Sequence, residues 1–131
     1  MSEHEIQVAV FDVLRLNEVK YTSLKWIYAV PNGGSRHPAV AGKLKAEGVK
    51  RGISDICIPF PSAKFANAYE PYFGAYIEMK AGKNKPTLEQ KEFLEFAESA
   101  GYKTAICYSS DEALDFIEDY CGFKLRGRNA K

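Results

Sequence analysis

The sequence predicts one small α/β domain in which helices flank a central mixed β-sheet. First, a chain of 131 residues fits a single domain. Second, 46% of the residues are hydrophobic, which is enough to fill a core. Third, the hydrophobic periodicity changes along the chain in the order helix, strand, helix, strand, strand, helix, strand, helix. No internal repeat or linker interrupts this order.

Four segments have the spacing of apolar residues that is typical of helices. They are residues 2–18, 39–47, 87–100 and 111–120. Ser2 with Glu5, and Thr87 with Gln90, each have the spacing of a capping box, in which two side chains satisfy free N–H groups at a helix start. These pairs therefore mark where the first and third helices begin.

Four further segments read as strands: residues 24–30, 53–58, 74–80 and 102–108. Around the third, two rows of side chains alternate: Phe73, Ala75, Ile77 and Met79 in one row, Tyr76, Glu78 and Lys80 in the other. Successive side chains of a strand point to opposite faces, so Glu78 and Lys80 share a face. A buried face rarely carries two charges unless they pair, bind something or do chemistry.

Asp55 poses the same question on the preceding strand. An aspartate inside an apolar strand is costly when it has no partner. One interpretation is that Asp55 accepts backbone N–H bonds at the start of the strand. We favour the other, in which Asp55 joins Glu78 and Lys80 in one site, because the two strands are expected to be neighbours.

These residue types suit a hard divalent cation, Mg²⁺ or Mn²⁺, which prefers oxygen ligands. Asp55, Glu78 and the backbone carbonyl of Met79 would supply the oxygens, and Lys80 would polarise an attacking water or meet a phosphate. The chemistry that follows is hydrolysis of a phosphodiester. Taken alone, the pattern is short enough to occur by chance.

The roles of Glu3, Glu5 and Gln90 are open. A carboxylate of the first helix, Glu3 or Glu5, could help to hold a second ion, although Glu5 is also explained by the capping box. Gln90 lies near the buried side of its helix, so both a capping role and a role in the site are consistent with its position.

Six segments together carry a family resemblance. They are EIQ at residues 5–7, PNGGSR at 31–36, GV at 48–49, GISD at 52–55, IEMK at 77–80 and TLEQKEF at 87–93. The chain resembles the PD-(D/E)xK nuclease superfamily and, within it, the VRR-NUC family, over roughly residues 3–108. Ser54 stands where the superfamily has its namesake proline, a change that the superfamily tolerates.

The resemblance implies a restriction-endonuclease-like core and metal-dependent, structure-selective DNA endonuclease activity. Asp55 and Glu78 match the metal ligands, Lys80 the catalytic lysine and Gln90 the supporting glutamine. Glu5 is the match to the first-helix acid, with Glu3 in reserve. Small virus-type members are associated with homodimers that cut branched DNA, so Holliday junction resolvase is the specific form of the prediction.

Domain organisation follows from the same comparison. Residues 1–123 are expected to form one VRR-NUC-like nuclease domain, and residues 124–131 a basic, mobile tail. The three cysteines, which contain no CxxC motif, are expected to be free thiols in a reducing compartment, namely the cytoplasm, or the host cytoplasm for a viral protein. No apolar run is long enough for a membrane span.

Nucleic-acid contact would depend on local basic patches, because the formal net charge is only +1. Lys83 and Lys85 follow the strand that ends at Lys80 and suit contact with a DNA backbone. Asn32 and Arg36 lie in a Gly-rich turn that either is an ordinary turn or presents its amides and the Arg36 guanidinium to a phosphate. Two other functions stay open: a non-catalytic nucleic-acid-binding or replication-accessory module, and a structural domain whose charged faces form internal ion pairs.

Overall fold

The computed structural model describes residues 1–31, 37–63 and 71–128. The described part is an α/β fold, as predicted. Its helices are α1 (Glu3–Asn17), a 3₁₀ helix (Thr22–Trp26), α2 (Pro38–Ala46), α3 (Leu88–Ser99) and α4 (Ser110–Cys121). Its strands are β1 (Tyr28–Ala29), β2 (Ile56–Ile58), β3 (Gly74–Met79) and β4 (Tyr102–Cys107). Both predicted capping boxes are present, at Ser2 and Thr87.

The four strands form one mixed sheet in the order β1-β2-β3-β4. β2 pairs antiparallel with both β1 and β3, whereas β3 and β4 are parallel. Ile56 lies opposite Ile77 in the β2–β3 register. Continuing this register by one residue places Asp55 opposite Glu78, so the expectation that their strands are neighbours is confirmed.

The two faces of the sheet are covered by different helices. Ala75, Ile77 and Met79 point into the core, which α1 and α4 complete with Ile6, Val10, Leu14, Leu114 and Ile117. On the other face, the ring of Tyr76 meets that of Phe93 in α3 edge-on, with centroids 4.8 Å apart. The alternation of β3 therefore separates the main core from the face that carries Glu78.

The segment predicted as a strand over residues 24–30 is extended only at Tyr28–Ala29. Residues Thr22–Trp26 form a 3₁₀ helix instead. Its buried residues explain the difference, because Leu24 and Ile27 are three positions apart and bury 99% and 96% of their surface. That spacing matches one 3₁₀ turn rather than a strand.

Two details of the central strands also differ from the prediction. β2 begins at Ile56 rather than at residue 53. Phe73 is 68% exposed and does not join the apolar row of β3. It precedes the strand, where its N–H donates to the carbonyl of Gly101 and its ring covers that glycine. Gly101 has φ +92°, and a Cβ there would collide with the ring.

The C-terminal segment contacts the domain as far as it is described. Leu125 belongs to the core and is 6% exposed. Asn17 at the end of α1 exchanges hydrogen bonds with the backbone N–H and C=O of Arg126. Arg128 pairs with carboxylates of α4 at Asp111, Asp115 and Glu118. Of residues 124–131, expected to be a mobile tail, the described residues 124–128 thus pack against α1 and α4 and place a core residue beyond position 123.

The cysteines are free: Cys57 and Cys107 are buried and Cys121 is partly buried. None of the described helices has both the length and the apolar character that crossing a membrane requires.

We expect Leu125→Ala to lower the free energy of unfolding by about 2–5 kcal/mol, because it leaves a cavity in a packed core. Lys124→Ala is the control, since the Lys124 side chain is 90% exposed, and it should change stability by about 0.5 kcal/mol at most. Urea unfolding of both variants measures the difference. Equal, small losses would show that residues after 123 do not contribute to the core.

Candidate active site

Glu78 is the centre of the site. It lies on β3, and only 2% of the residue is exposed. Its Oε2 accepts a hydrogen bond from Nε2 of Gln90 at 3.1 Å and lies 3.5 Å from Nζ of Lys80. Its Oε1 is buried and has no hydrogen-bond partner in the described part of the protein. A buried oxygen without a partner is costly, so its retention points to a ligand.

Asp55 is held beside Glu78 by the backbone of β3. Its Oδ2 accepts the N–H of Met79 at 2.7 Å, and its own carbonyl accepts the N–H of Val30 at 2.7 Å. The backbone bond that one interpretation of Asp55 predicted is therefore present. It occupies one carboxylate oxygen and fixes the direction of the other, so it does not exclude a role in the site.

The two carboxyl groups perturb each other. Burial and the nearby negative charge of Asp55 raise the pKa of Glu78 from 4.5 to about 8. Lys80 lowers it, but less than the other effects raise it. Because the folded-state pKa is the higher one, the stability gained from this carboxyl is present below pH 4.5 and is lost as the pH rises through about 8.

Lys80 is buried next to this pair. The residue is 7% exposed, and its backbone N–H donates to the carbonyl of Cys107 at 2.9 Å, which continues the β3–β4 pairing by one residue. The strand alternation predicted that its ammonium shares a face with Glu78, and this is confirmed. At 3.5 Å from one oxygen it does not neutralise the carboxylate pair.

Gln90 combines the predicted cap with a contact to Glu78. Its Oε1 accepts the N–H of Thr87 at 2.8 Å and completes the capping box of α3. Its Nε2 donates to Glu78. One side chain therefore ties the start of α3 to the carboxylate of β3.

The described residues do not bring Glu5 into this group. Its Oε1 accepts from the N–H and hydroxyl of Ser2, at 3.0 and 3.1 Å. α1 packs on the core face of the sheet, whereas Glu78 points to the α3 face. No cluster of three or more His, Cys, Asp or Glu side chains positioned for a metal occurs within residues 1–31, 37–63 and 71–128. The metal role of Glu5 and Glu3 stays a prediction.

The basic loop between β3 and α3 leaves directly from Lys80. Lys83 and Lys85 are exposed in it. The hydroxyl of Tyr108 donates to the carbonyl of Asn84 at 2.9 Å and holds the loop against the end of β4. This hydroxyl was not anticipated from the sequence, because nothing local links residues 24 positions apart. Asn32 and Arg36 lie outside the described residues.

Gly52 fixes the turn before Asp55. It has φ +84°, and a Cβ there would lie 2.7 Å from the backbone carbonyl of Glu89. The chain entering β2 thus packs directly on the first turn of α3, next to Gln90. Ser54, which lies between Gly52 and Asp55 in the sequence, is fully buried. Its hydroxyl has no hydrogen-bond partner among the described residues, and the described structure does not explain this hydroxyl.

The arrangement fits a divalent cation. Two carboxylates from adjacent strands face each other, one of them with a buried oxygen that no described donor satisfies. Their mutual repulsion would be relieved by a cation, and oxygen donors suit Mg²⁺ or Mn²⁺. Asp55 and Glu78 are therefore the residues that could hold such an ion.

Comparisons with known proteins agree with this geometry. The sequence profile of the VRR-NUC domain matches residues 3–111. A solved structure described as a VRR_NUC domain protein superimposes with a TM-score of 0.71 at 25% identity, covering 95% of this chain and 91% of that one. No curated protein matches the sequence. Together the matches support a nuclease-type fold and a nuclease in general.

We expect Glu78→Gln to change the free energy of unfolding by less than about 1 kcal/mol at pH 7.5 in a chelator, or to raise it, because the carboxyl is held where its charge is unfavourable. Glu95→Gln, at an exposed position of α3, is the control. Chemical denaturation measures both. A loss of about 3 kcal/mol or more would instead identify the Glu78–Lys80 contact as a structural buried ion pair.

Proposed function

We propose, from the premise that this chain belongs to the VRR-NUC family, that it is a metal-dependent DNA endonuclease that hydrolyses phosphodiester bonds. The observation that supports this most is the buried Glu78 carboxylate opposite Asp55, one oxygen of which has no partner among the described residues. A structural domain has no need of two facing carboxylates inside a sheet. A cation-dependent enzyme does, since the pair attracts the ion and orients it.

Asp55 and Glu78 would hold Mg²⁺ or Mn²⁺, with the Met79 carbonyl as the predicted third oxygen. When bound, such an ion supplies a Lewis acid, a water of lowered pKa and a positive charge beside the phosphate. The protein prepares the ligands: the N–H of Met79 orients Asp55, and the amide of Gln90 orients Glu78. Neither carboxylate then needs to reorganise when the substrate arrives.

Lys80 would act on the reacting phosphate and its water. Its ammonium is almost fully buried, so its charge is screened far less than that of a surface lysine. It lies 3.5 Å from Glu78, close enough to meet a group that the pair holds. From this position it can orient the attacking water by hydrogen bonding and stabilise negative charge that develops on a non-bridging oxygen.

DNA would approach from the side of the β3–α3 loop. Lys83 and Lys85 extend from the loop that begins at Lys80, and Tyr108 holds that loop in place. Exposed lysines there would contact phosphates on either side of the scissile bond. Asn32 and Arg36, which follow β1 in the sequence, are proposed as further phosphate contacts.

The proposed substrate is branched DNA, with the four-way Holliday junction as the leading case, and the proposed assembly is a homodimer. The support for both is the resemblance to small, virus-type members of the family. Two copies related by a two-fold axis would place two sites on one junction and allow paired cuts.

Lys80→Ala should reduce cleavage by at least about 100-fold, because it removes a positioned cation from a site that excludes water. The measurement is a cleavage panel of single-stranded, duplex, flap and four-way DNA with Mg²⁺, Mn²⁺ or chelator. Lys124→Ala, which leaves the site untouched, should cut like the wild type, and circular dichroism should show that both variants fold. Wild-type protein that binds junctions but cuts nothing with either metal would establish a nucleic-acid-binding accessory module instead.

Metal binding should strengthen with pH. Because the pKa of Glu78 is raised to about 8, an ion must displace a proton below that pH, and its apparent affinity should fall by about tenfold per pH unit. Titrations of Mg²⁺ followed by the thermal midpoint at pH 6.5, 7.5 and 8.5 measure this. Glu78→Gln should abolish the trend. A wild-type response independent of pH would argue against Glu78 as a ligand.

A further inference from the structure

Helix α2 is not stabilised by burial. None of its residues, Pro38–Ala46, is buried. No other described helix or strand packs extensively against it. It is nine residues long, and isolated helices of that length are marginal in water, because most helical stability in proteins comes from tertiary packing. A helix of this kind is best explained by an external partner.

The charge of this segment identifies the partner's chemistry. Lys43 and Lys45 in α2, and Lys50 and Arg51 after it, are four cations, and Glu47 is the acid among them. All four cations are exposed, and none has a side-chain hydrogen bond or ion pair with another described residue. We call Lys43, Lys45, Lys50 and Arg51 the basic segment. Its unpaired charges favour an anionic partner.

Cations near α4 behave differently. Lys103, Lys124 and Arg128 all pair with carboxylates of α4. The cations near α4 are therefore neutralised by ion pairs within the domain, whereas the described structure contains no ion pair for those of the basic segment. Both groups of cations lie in the same domain, yet only the group near α4 has ion pairs.

The C-terminal end of the basic segment lies next to a turn that packs on the helix carrying Gln90. Gly52, which follows Arg51, packs on the backbone of Glu89 in the first turn of α3. Gln90, the next residue of α3, donates to Glu78. Asp55 is three residues beyond Gly52. An anion bound by the basic segment would therefore lie on the chain segment that leads into Asp55.

A polyanion fits this surface better than a second copy of the chain. Pairing two copies through the same surface would bring the four cations of each copy face to face, which is repulsive. The apolar side chains of α2 are few: Val40 is 49% exposed and Leu44 is partly buried. The phosphate backbone of duplex DNA supplies charges at regular spacing and needs no apolar groove.

We propose that the basic segment is a second DNA contact, which holds the duplex backbone outside the active site and directs it toward Asp55. This rests on the proposed endonuclease function and specifies which part of the substrate the protein grips. The contact is to phosphates and not to base edges, so it is independent of sequence.

The test compares two double variants with a matched control. K43Q/K45Q and K50Q/R51Q each remove two positive charges from the basic segment. The control, K124Q/R126Q, removes two positive charges from the C-terminal segment. The affinity for a fluorescein-labelled DNA duplex is measured by anisotropy in chelator, at several salt concentrations. The slope of log affinity against log salt is negative, and each segment variant should make it less steep by about 1.8, whereas the control should not. Between about 200 and 50 mM salt, the wild type should therefore gain about twelvefold more affinity than either variant.

Hydrogen exchange adds an independent measurement. Amides of α2 should exchange rapidly in the free protein and become protected when the duplex binds. Sedimentation of the same proteins tests the competing occupant. Unchanged salt slopes, or protection of α2 that follows self-association and not DNA, would overturn the proposal in favour of a protein interface.

The same samples separate this inference from the proposed function. If the wild type cuts DNA and the segment variants keep its affinity and salt slope, the second contact is wrong and the endonuclease stands. If the wild type binds the duplex through the basic segment and Lys80→Ala changes nothing because no substrate is cut, the contact stands and the endonuclease is wrong.

Discussion

The burial of Glu78 opposite Asp55 is the constraint around which the rest of this domain is arranged. A carboxylate inside a sheet must be compensated or it shifts its pKa, and Glu78 does the latter. Lys80 and Gln90 provide partial compensation through one oxygen, and the other oxygen has no described partner. The fold can tolerate this because the opposite face of β3 is fully apolar. Ile77 and Met79, both fully buried, anchor the strand in the core that α1 and α4 complete.

Few contacts are needed to hold the site, because each does two things. The Asp55–Met79 hydrogen bond joins β2 to β3 and also orients a carboxylate. Gln90 caps α3 and also orients Glu78. The backbone of Lys80 extends the β3–β4 pairing while its ammonium faces the carboxylates. Truncation of Asp55 or Gln90 would disturb local structure and site together, whereas Lys80→Ala keeps the backbone pairing and Glu78→Gln changes only the end of a side chain.

The parts of the site that the sequence predicted are those encoded by local periodicity. Alternation along β3 places Glu78 and Lys80 on one face, and a three-residue spacing places Gln90 at a helix start; both are confirmed. The features that were missed depend on partners far along the chain. Phe73 packs its ring on Gly101 instead of joining the apolar row of β3. Leu125 enters the core next to Arg126, whose N–H donates to the side chain of Asn17. A 3₁₀ turn at Leu24 and a strand share similar composition, and only tertiary packing decides between them. For Glu5 the cap was predictable from the spacing and is present, whereas its metal role stays a prediction.

Net charge conceals how this surface is organised. A formal charge of +1 would suggest a protein indifferent to polyanions. The charge is distributed unevenly in the structure. Lys103, Lys124 and Arg128 form ion pairs with acids of α4, so the charges of these groups largely cancel. The described cations without an ion pair include those of the basic segment and Lys83 and Lys85, which lie on the two chain segments that flank the carboxylates in sequence. Asp55 and Glu78 repel phosphates unless a cation lies between them, so a neighbouring excess of positive charge is what allows DNA to approach an acidic site.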